Sequence, residues 1–277
     1  MVESLAGSLA TAELPVLHLT SPVPSSHVNT ISENRQQARP TLSQVLQVLV
    51  YSPEPRAASM KYLKRDNSAV RLNAKQLRRI SELTIVHYDR SAEEYWEGTR
   101  DHDVSQNYAA LLDAIEGDHP YSILDLGCGP GRDLYHFRSL GHDVVGLDGS
   151  KEFVAIARSY AGGDVLHQDF LAMTLPESHF DGVFANASLF HVPSQELPRI
   201  LLELAATLKP RGVLFCSNPR GNNQEGFSGD RYGCFFDLDT WRDYVTTAGF
   251  FELQHYYRPP GLPCHKQPWL ATVWRKG

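Results

Sequence analysis

Leu124-Asp125-Leu126-Gly127-Cys128-Gly129-Pro130-Gly131-Arg132-Asp133 is the stretch on which the reading of this chain turns. The apolar run Tyr121 to Leu126 predicts a buried strand, and Gly131 to Leu140, halted by Gly141, predicts a helix. Three glycines therefore sit where a strand hands over to a helix, and in an open α/β sheet that exit is where ligands bind. Residues without a Cβ let the backbone approach a ligand, and the N–H groups of the turn and helix start can take an anionic group. A dinucleotide fingerprint needs Gly or Ala three positions after Gly129, but Arg132 stands there, which argues against NAD or FAD. Taken alone, the triplet is as compatible with a tight turn that binds nothing.

The residues downstream add context. Val144 to Asp148 predicts a second strand, and Asp148 at its end is placed to accept both hydroxyls of a ribose. A helix over Lys151 to Tyr160 and a short strand over Val165 to His167 follow. After that strand, Gln168 or Asp169 can take an adenine amino group and Phe170 can cover the ring, although Asp169 also suits a turn or helix cap. A fourth strand over Phe180 to Ala185, a helix from about Ser194 to Leu208 and a fifth strand over Val213 to Cys216 continue the alternation. Ser217 to Gly233 reads as irregular, Asp239 as the cap of a helix to Ala248, and Phe251 to Tyr257 with Trp269 to Val273 as a closing hairpin. Alternating strands and helices imply a parallel sheet covered on both faces, with an antiparallel strand added by the terminal pair.

These segments closely resemble the class I, seven-stranded S-adenosylmethionine-dependent methyltransferases from about Tyr88 to Trp274. The resemblance is carried by Asp125-Leu-Gly-Cys-Gly-Pro-Gly131, Gly146-Leu-Asp-Gly-Ser150, Gln168-Asp169-Phe170, Phe180-Asp-Gly-Val-Phe-Ala-Asn186 and Leu208-Lys-Pro-Arg-Gly-Val-Leu214, in family order. The last segment has Arg211-Gly212 where the family usually has Gly-Gly. The resemblance implies an α/β fold with a Rossmann-like, doubly wound, seven-stranded sheet, mostly parallel with an antiparallel C-terminal strand. It also implies S-adenosylmethionine as cofactor, its methionine portion along Gly127, Cys128, Gly129 and Gly131, its ribose on Asp148 and its adenine near Gly149 and Asp169. Asp125, Ser150, Gln168, Phe170 and Asn186 complete the expected cofactor set.

Tyr88-Asp-Arg-Ser-Ala-Glu-Glu-Tyr-Trp96-Glu-Gly-Thr99-Arg100 resembles the N-terminal lid helix of small-molecule members such as the tellurite-resistance and quinone-biosynthesis types. By that likeness Tyr88, Trp96 and Thr99 close over the cofactor, while a helix burying its aromatics on the sheet fits the same pattern. Methyl transfer from a sulfonium is an in-line displacement that requires alignment and no metal. Where the nucleophile carries a proton a base is needed, and His191, just beyond the fourth strand, is the candidate catalytic residue, with a structural hydrogen-bonding role open beside it. Asn186 and Ser188 are placed to orient substrate or cofactor. Arg220, Arg231 and Tyr232 fall in the family's substrate-facing region, where the arginines can clamp an oxyanion or simply be solvated. Cys234, Cys264 and His265 match no standard metal-ligand spacing.

The 277 residues suit one α/β domain with an appendage. A formal charge of −6 disfavours nucleic acid as main partner, and no apolar run is long enough for a membrane span. The scattered cysteines suggest a reducing, cytoplasmic setting. Residues 1–79, with ten basic and five acidic side chains and one convincing apolar stretch, Leu42 to Tyr51, read as an extension, and 80–277 as the catalytic domain. Organellar targeting remains open, though Glu3 and Glu13 precede the first basic residue, Arg35. The expectation is a monomeric or weakly dimeric methyltransferase for an O, N or S nucleophile of a small soluble molecule. The competitors are modification of RNA or protein guided by Lys61 to Arg79, and a non-catalytic cofactor-binding subunit.

Overall fold

The computed structural model describes residues 63–64 and 71–277, so most of the expected extension, including Leu42 to Tyr51 and any targeting signal, lies outside the described residues. The strands are β1 Leu63–Lys64, β2 Ser122–Leu126, β3 Asp143–Asp148, β4 Val165–His167, β5 Phe180–Asn186, β6 Leu208–Pro219, β7 Gln224–Ser228, β8 Arg231–Phe235, β9 Phe250–Arg258 and β10 Trp269–Lys276. The helices are α1 Ala74–Arg90, α2 Ala92–Thr99, α3 Ser105–Leu112, α4 Arg132–Ser139, α5 Lys151–Tyr160, α6 Leu197–Thr207 and α7 Leu238–Thr247.

Seven strands form one sheet in the order β4-β3-β2-β5-β6-β10-β9. Strands β2 to β6 pair in parallel, and β10 runs antiparallel between β6 and β9. The order reverses between β2 and β5, which opens a crevice beyond the carboxyl ends of the parallel strands. Side-chain alternation explains why both faces are covered. Leu124, Leu126, Val183, Ala185, Leu214 and Cys216 face a core closed by α1, α6 and α7. Their neighbours Ile123, Phe184, Val213 and Phe215 face the opposite core, closed by α3, α4 and α5.

Three local expectations change. Strand β6 extends from Leu208 to Pro219, because α6 passes into it without an intervening loop and β10 pairs along most of its length. The stretch read as irregular contains the β7–β8 hairpin, with Gly229 and Asp230 at its turn. Helix α7 is capped by Asp237, whose side chain accepts from Thr240 N at 2.8 Å, while Asp239 lies inside the first turn. Arg211 adopts a left-handed φ of 63° and pairs with Glu116 at 2.6 Å, so the departure from Gly-Gly keeps the turn.

Candidate functional site

At the carboxyl ends of β2, β3 and β5 lies a cavity of about 740 Å³, bounded on its outer side by α1 and α2. Gly127, Gly129, Asp148, Gly149, Asp169 and Phe170 all line it, so three strand exits converge on one space. Asp148 is the electrostatic centre of its floor. One carboxylate oxygen accepts from Gly129 N at 2.9 Å and the other from Ser150 N at 2.8 Å. Burial pushes Asp148 up to about 6, against the pull of those two N–H groups. A carboxylate offers about four acceptor positions, so half remain for a ligand.

The glycines divide by role. Gly129 has a φ of 53°, and a Cβ placed on it meets only Tyr95 at 3.9 Å, so its missing side chain opens onto the cavity. A Cβ on Gly127 would lie 2.4 Å from the Ser188 Cβ, which brings the β5 exit against the loop. Gly131, expected among the cofactor residues, lines neither cavity; its φ is 96° and a Cβ there would lie 3.0 Å from the Ala157 Cα, so it packs α4 onto α5.

Asp169 accepts from Leu171 N at 2.9 Å and from the Ser81 hydroxyl at 2.7 Å. Gln168 turns away and holds the following turn through Thr174 N at 2.8 Å. Ser150 lines the cavity, but its hydroxyl caps α5 through Phe153 N and donates to Asp89 at 2.6 Å. Asp125 is buried behind the loop, outside both cavities. Burial and the Asp133 charge push its carboxyl well above the usual range.

A second cavity, of about 1310 Å³, lies across the glycine loop and shares Tyr95, Gly127, Gly129, Asn186 and Ala187 with the first. Trp96, Thr99 and Cys128 line this one alone. Its inner wall is a buried polar network. Asp133 accepts from Tyr108 at 2.6 Å, Arg132 at 2.7 Å and Asn186 at 3.1 Å, and Asn186 in turn accepts from Asn107 at 3.0 Å. Burial pushes Asp133 up, but the Arg132 guanidinium beside it holds it below the usual carboxylate range.

His191 lines the first cavity, yet both ring nitrogens are engaged. Nδ1 lies 2.6 Å from the Tyr232 carbonyl, an acceptor only, so Nδ1 carries the proton. Nε2 therefore accepts from the Tyr88 hydroxyl at 2.8 Å. Burial lowers His191 to about 3, with the nearby Arg231 charge acting in the same direction. The base role expected from the sequence needs a free Nε2 lone pair, and in this arrangement Tyr88 occupies it. Of the other substrate candidates, Arg220, Arg231 and Tyr232 stand apart from the walls of both cavities. Arg220 holds the C-terminal segment through the Cys264 and Gln267 carbonyls at 2.8 and 2.9 Å and lies over Tyr257 at 4.1 Å. Tyr232 buries its ring beside Phe227 and serves His191 through its carbonyl. Arg231 lies beside Tyr88, where its charge and a side-chain hydrogen bond act on the phenol. Ser188 does line the first cavity, buried, its Oγ without a hydrogen-bond partner.

Sequence reasoning missed Ser81, Tyr95, Phe153 and Arg258. Tyr95 had a signal, since it stands in the lid-like stretch and both cavities touch it. Among the described residues no three His, Cys, Asp or Glu come together as a metal site, and no helix is long and apolar enough to cross a membrane.

Residues 123–212 match the family described as "Methyltransferase domain". The chain is 33% identical over 104 residues to a ubiquinone biosynthesis O-methyltransferase of Rhodopseudomonas palustris, covering 36% of this chain and 40% of that protein. It is 35% identical over 111 residues to a trans-aconitate 2-methyltransferase of Escherichia coli, covering 39% and 43%. The match thus spans about two fifths of the length of these relatives. Among solved structures, a Burkholderia thailandensis 1,6-didemethyltoxoflavin-N1-methyltransferase, crystallised with its namesake compound and S-adenosylhomocysteine, superposes with a TM-score of 0.61 at 19% identity. That superposition covers 78% of this chain and 94% of the other.

Proposed function

We propose that the chain transfers a methyl group from S-adenosylmethionine to an O, N or S nucleophile of a small molecule. The observation that carries this reading is the convergence of Gly129, Asp148 and Asp169 on one cavity. The residues present fit the group. Asp148 keeps acceptor positions for a ribose, Asp169 offers an acceptor now met by a serine hydroxyl, and Gly129 leaves the space that a Cβ would fill. The unpartnered Ser188 Oγ supplies a buried polar atom for a ligand to satisfy. Small-molecule acceptors are supported by the names of the relatives, each of which acts on a small compound.

When bound, the cofactor supplies a sulfonium methyl group, which the acceptor's lone pair takes in line as the carbon–sulfur bond breaks. The chain's own part is positioning and exclusion of water. Asp148 holds the ribose, and the Gly127–Gly129 loop lies along the methionine portion. Tyr88, Tyr95 and Phe153 form an aromatic cluster over the cavity, with ring centroids 5.1 to 5.6 Å apart. His191 orients Tyr88 and ties it to β8. The test is incubation with isotopically labelled S-adenosylmethionine and a fractionated small-metabolite extract. Label appearing in a small compound is the expected result; label only in macromolecules, or in nothing, removes the reading.

A further inference from the structure

The second cavity contains a cation whose hydrogen-bonding capacity is largely unspent. Arg132 is engaged at all three of its nitrogens, two on Asp133 and the third on the Thr99 carbonyl at 2.9 Å. Arg258, at the end of β9, donates once, from one terminal nitrogen to the Asp103 carbonyl at 2.6 Å. Its Nε is shut off from water and has no partner. Neighbouring groups do little to neutralise it. The Asp133 carboxylate is taken up by Arg132, Tyr108 and Asn186. The Asp103 carboxylate is exposed and turned to Ser105 N at 2.9 Å. Burial lowers His102 and pushes Tyr256 up to about 12, so both are neutral near pH 7. Burial presses the Arg258 guanidinium below its ordinary value and the Arg132 charge acts in the same direction, which outweighs the opposing pull of Tyr256, Asp103 and Asp133. A half-buried cation whose terminal nitrogens make one hydrogen bond between them is costly, and an anion in the cavity offsets that cost by pairing with those terminal nitrogens.

We propose that the second cavity holds the methyl acceptor by an anionic group, a carboxylate or similar oxyanion, seated on Arg258. The acceptor role rests on the methyltransferase reading, whereas the anion site does not. Trp96 and Trp269 line the same cavity and offer flat apolar walls, so a planar acid is the matching shape.

The experiment is calorimetric titration of the full chain with benzoate, and with benzamide as its uncharged counterpart, in the absence and presence of S-adenosylhomocysteine. Saturable benzoate binding is expected, at least tenfold tighter than benzamide. Arg258→Met lowers benzoate affinity at least tenfold and leaves S-adenosylhomocysteine affinity unchanged. Arg258→Lys, which keeps the charge without the Nε donor, weakens benzoate by a smaller factor and decides the matter if the methionine variant does not fold. The proposal is overturned if wild-type protein shows no saturable benzoate binding, or if the variants bind benzoate as wild type does. It is also overturned if Arg258→Met weakens S-adenosylhomocysteine, since the anion would then be the cofactor's own carboxylate. Should S-adenosylhomocysteine fail to bind wild-type protein while benzoate still depends on Arg258, the methyltransferase reading falls and the anion site stands.

Discussion

Substituting alanine at Gly129 and at Gly131 separates a cavity-forming glycine from a packing glycine two residues away. At Gly129 the new methyl group meets only Tyr95, at 3.9 Å, so the ligand-free fold suffers little beyond the left-handed φ of 53°. That conformation costs an L-residue about 1–2 kcal/mol, which for a domain of this size lowers Tm by about 2–8 °C. The same methyl group projects into the space proposed for the cofactor. Overpacking of about 1–3 kcal/mol there corresponds to a loss of about 5- to 150-fold in affinity for S-adenosylhomocysteine. At Gly131 the methyl group would lie 3.0 Å from the Ala157 Cα, a backbone atom that cannot swing aside. Strain and overpacking then add to a stability loss of about 2–5 kcal/mol, with the affinity of the folded fraction preserved. Calorimetric binding and thermal melts of both variants read the two axes independently. Unchanged affinity in Gly129→Ala, or lost affinity with undiminished stability in Gly131→Ala, would refute the division of roles.

Asp148 makes binding pH-dependent. Its value near 6 in the ligand-free protein means that a ribose recruiting the ionised carboxylate must first displace a proton below that pH. S-adenosylhomocysteine affinity is therefore full above pH 7 and falls about tenfold between pH 7 and 5, and Asp148→Asn flattens that profile while weakening binding throughout. Folding stability responds with the opposite sign: this group's folded value lies above its unfolded one, so its contribution declines as pH rises from about 4 through 6. His191, lowered to about 3, should show no ring titration by NMR between pH 5 and 8, and its contribution to stability fades as pH falls from about 6.5 toward 3. A His191 midpoint near 6.5 would return it to the role of proton acceptor. Ser81→Ala frees one oxygen of Asp169 and should alter S-adenosylhomocysteine affinity by about 2- to 10-fold without changing the pH profile set by Asp148; an unchanged affinity would remove Asp169 from the ligand's contacts.

The sheet was legible because its signals are local. Leu124 and Leu126 face one core and Ile123 the other, so a central parallel strand appears as an unbroken apolar run ending at its glycines. The converging acids were legible for the same reason: Asp148 and Asp169 end their strands, and strand ends of a doubly wound sheet share one rim. The β7–β8 hairpin left no such trace. Gln224-Glu-Gly-Phe-Ser228 carries one large apolar residue and is half-buried as far as Phe227, so no period of two stands out. Arg220 and Arg231 looked like clamps because charge is visible in a sequence and commitments are not. The Cys264 and Gln267 carbonyls that take up Arg220 lie more than forty positions away. Arg258 was passed over for the converse reason, since at the end of an edge strand it resembles any solvated arginine.

Helix α1 shows most clearly why the roof of the site could not be read from its own residues. Its inward face runs through Ser81, Thr84, Ile85, Tyr88 and Asp89, a helical spacing, but only Ile80 and Thr84 are buried, so the apolar stripe is faint. What fastens the helix is polar. Ser81 donates to Asp169 at 2.7 Å, Thr84 accepts from Tyr232 N at 3.1 Å, Tyr88 donates to His191 at 2.8 Å, and Asp89 accepts from Ser150 at 2.6 Å. Each partner lies at least 61 positions along the chain, and each belongs to a different element. Polar fastenings contribute about 0.5–1.5 kcal/mol apiece, because water replaces most of what is lost when they break. An apolar stripe of the same length would hold the roof far more tightly. A helix held in this way can exchange its bonds with those of a ligand at little net cost.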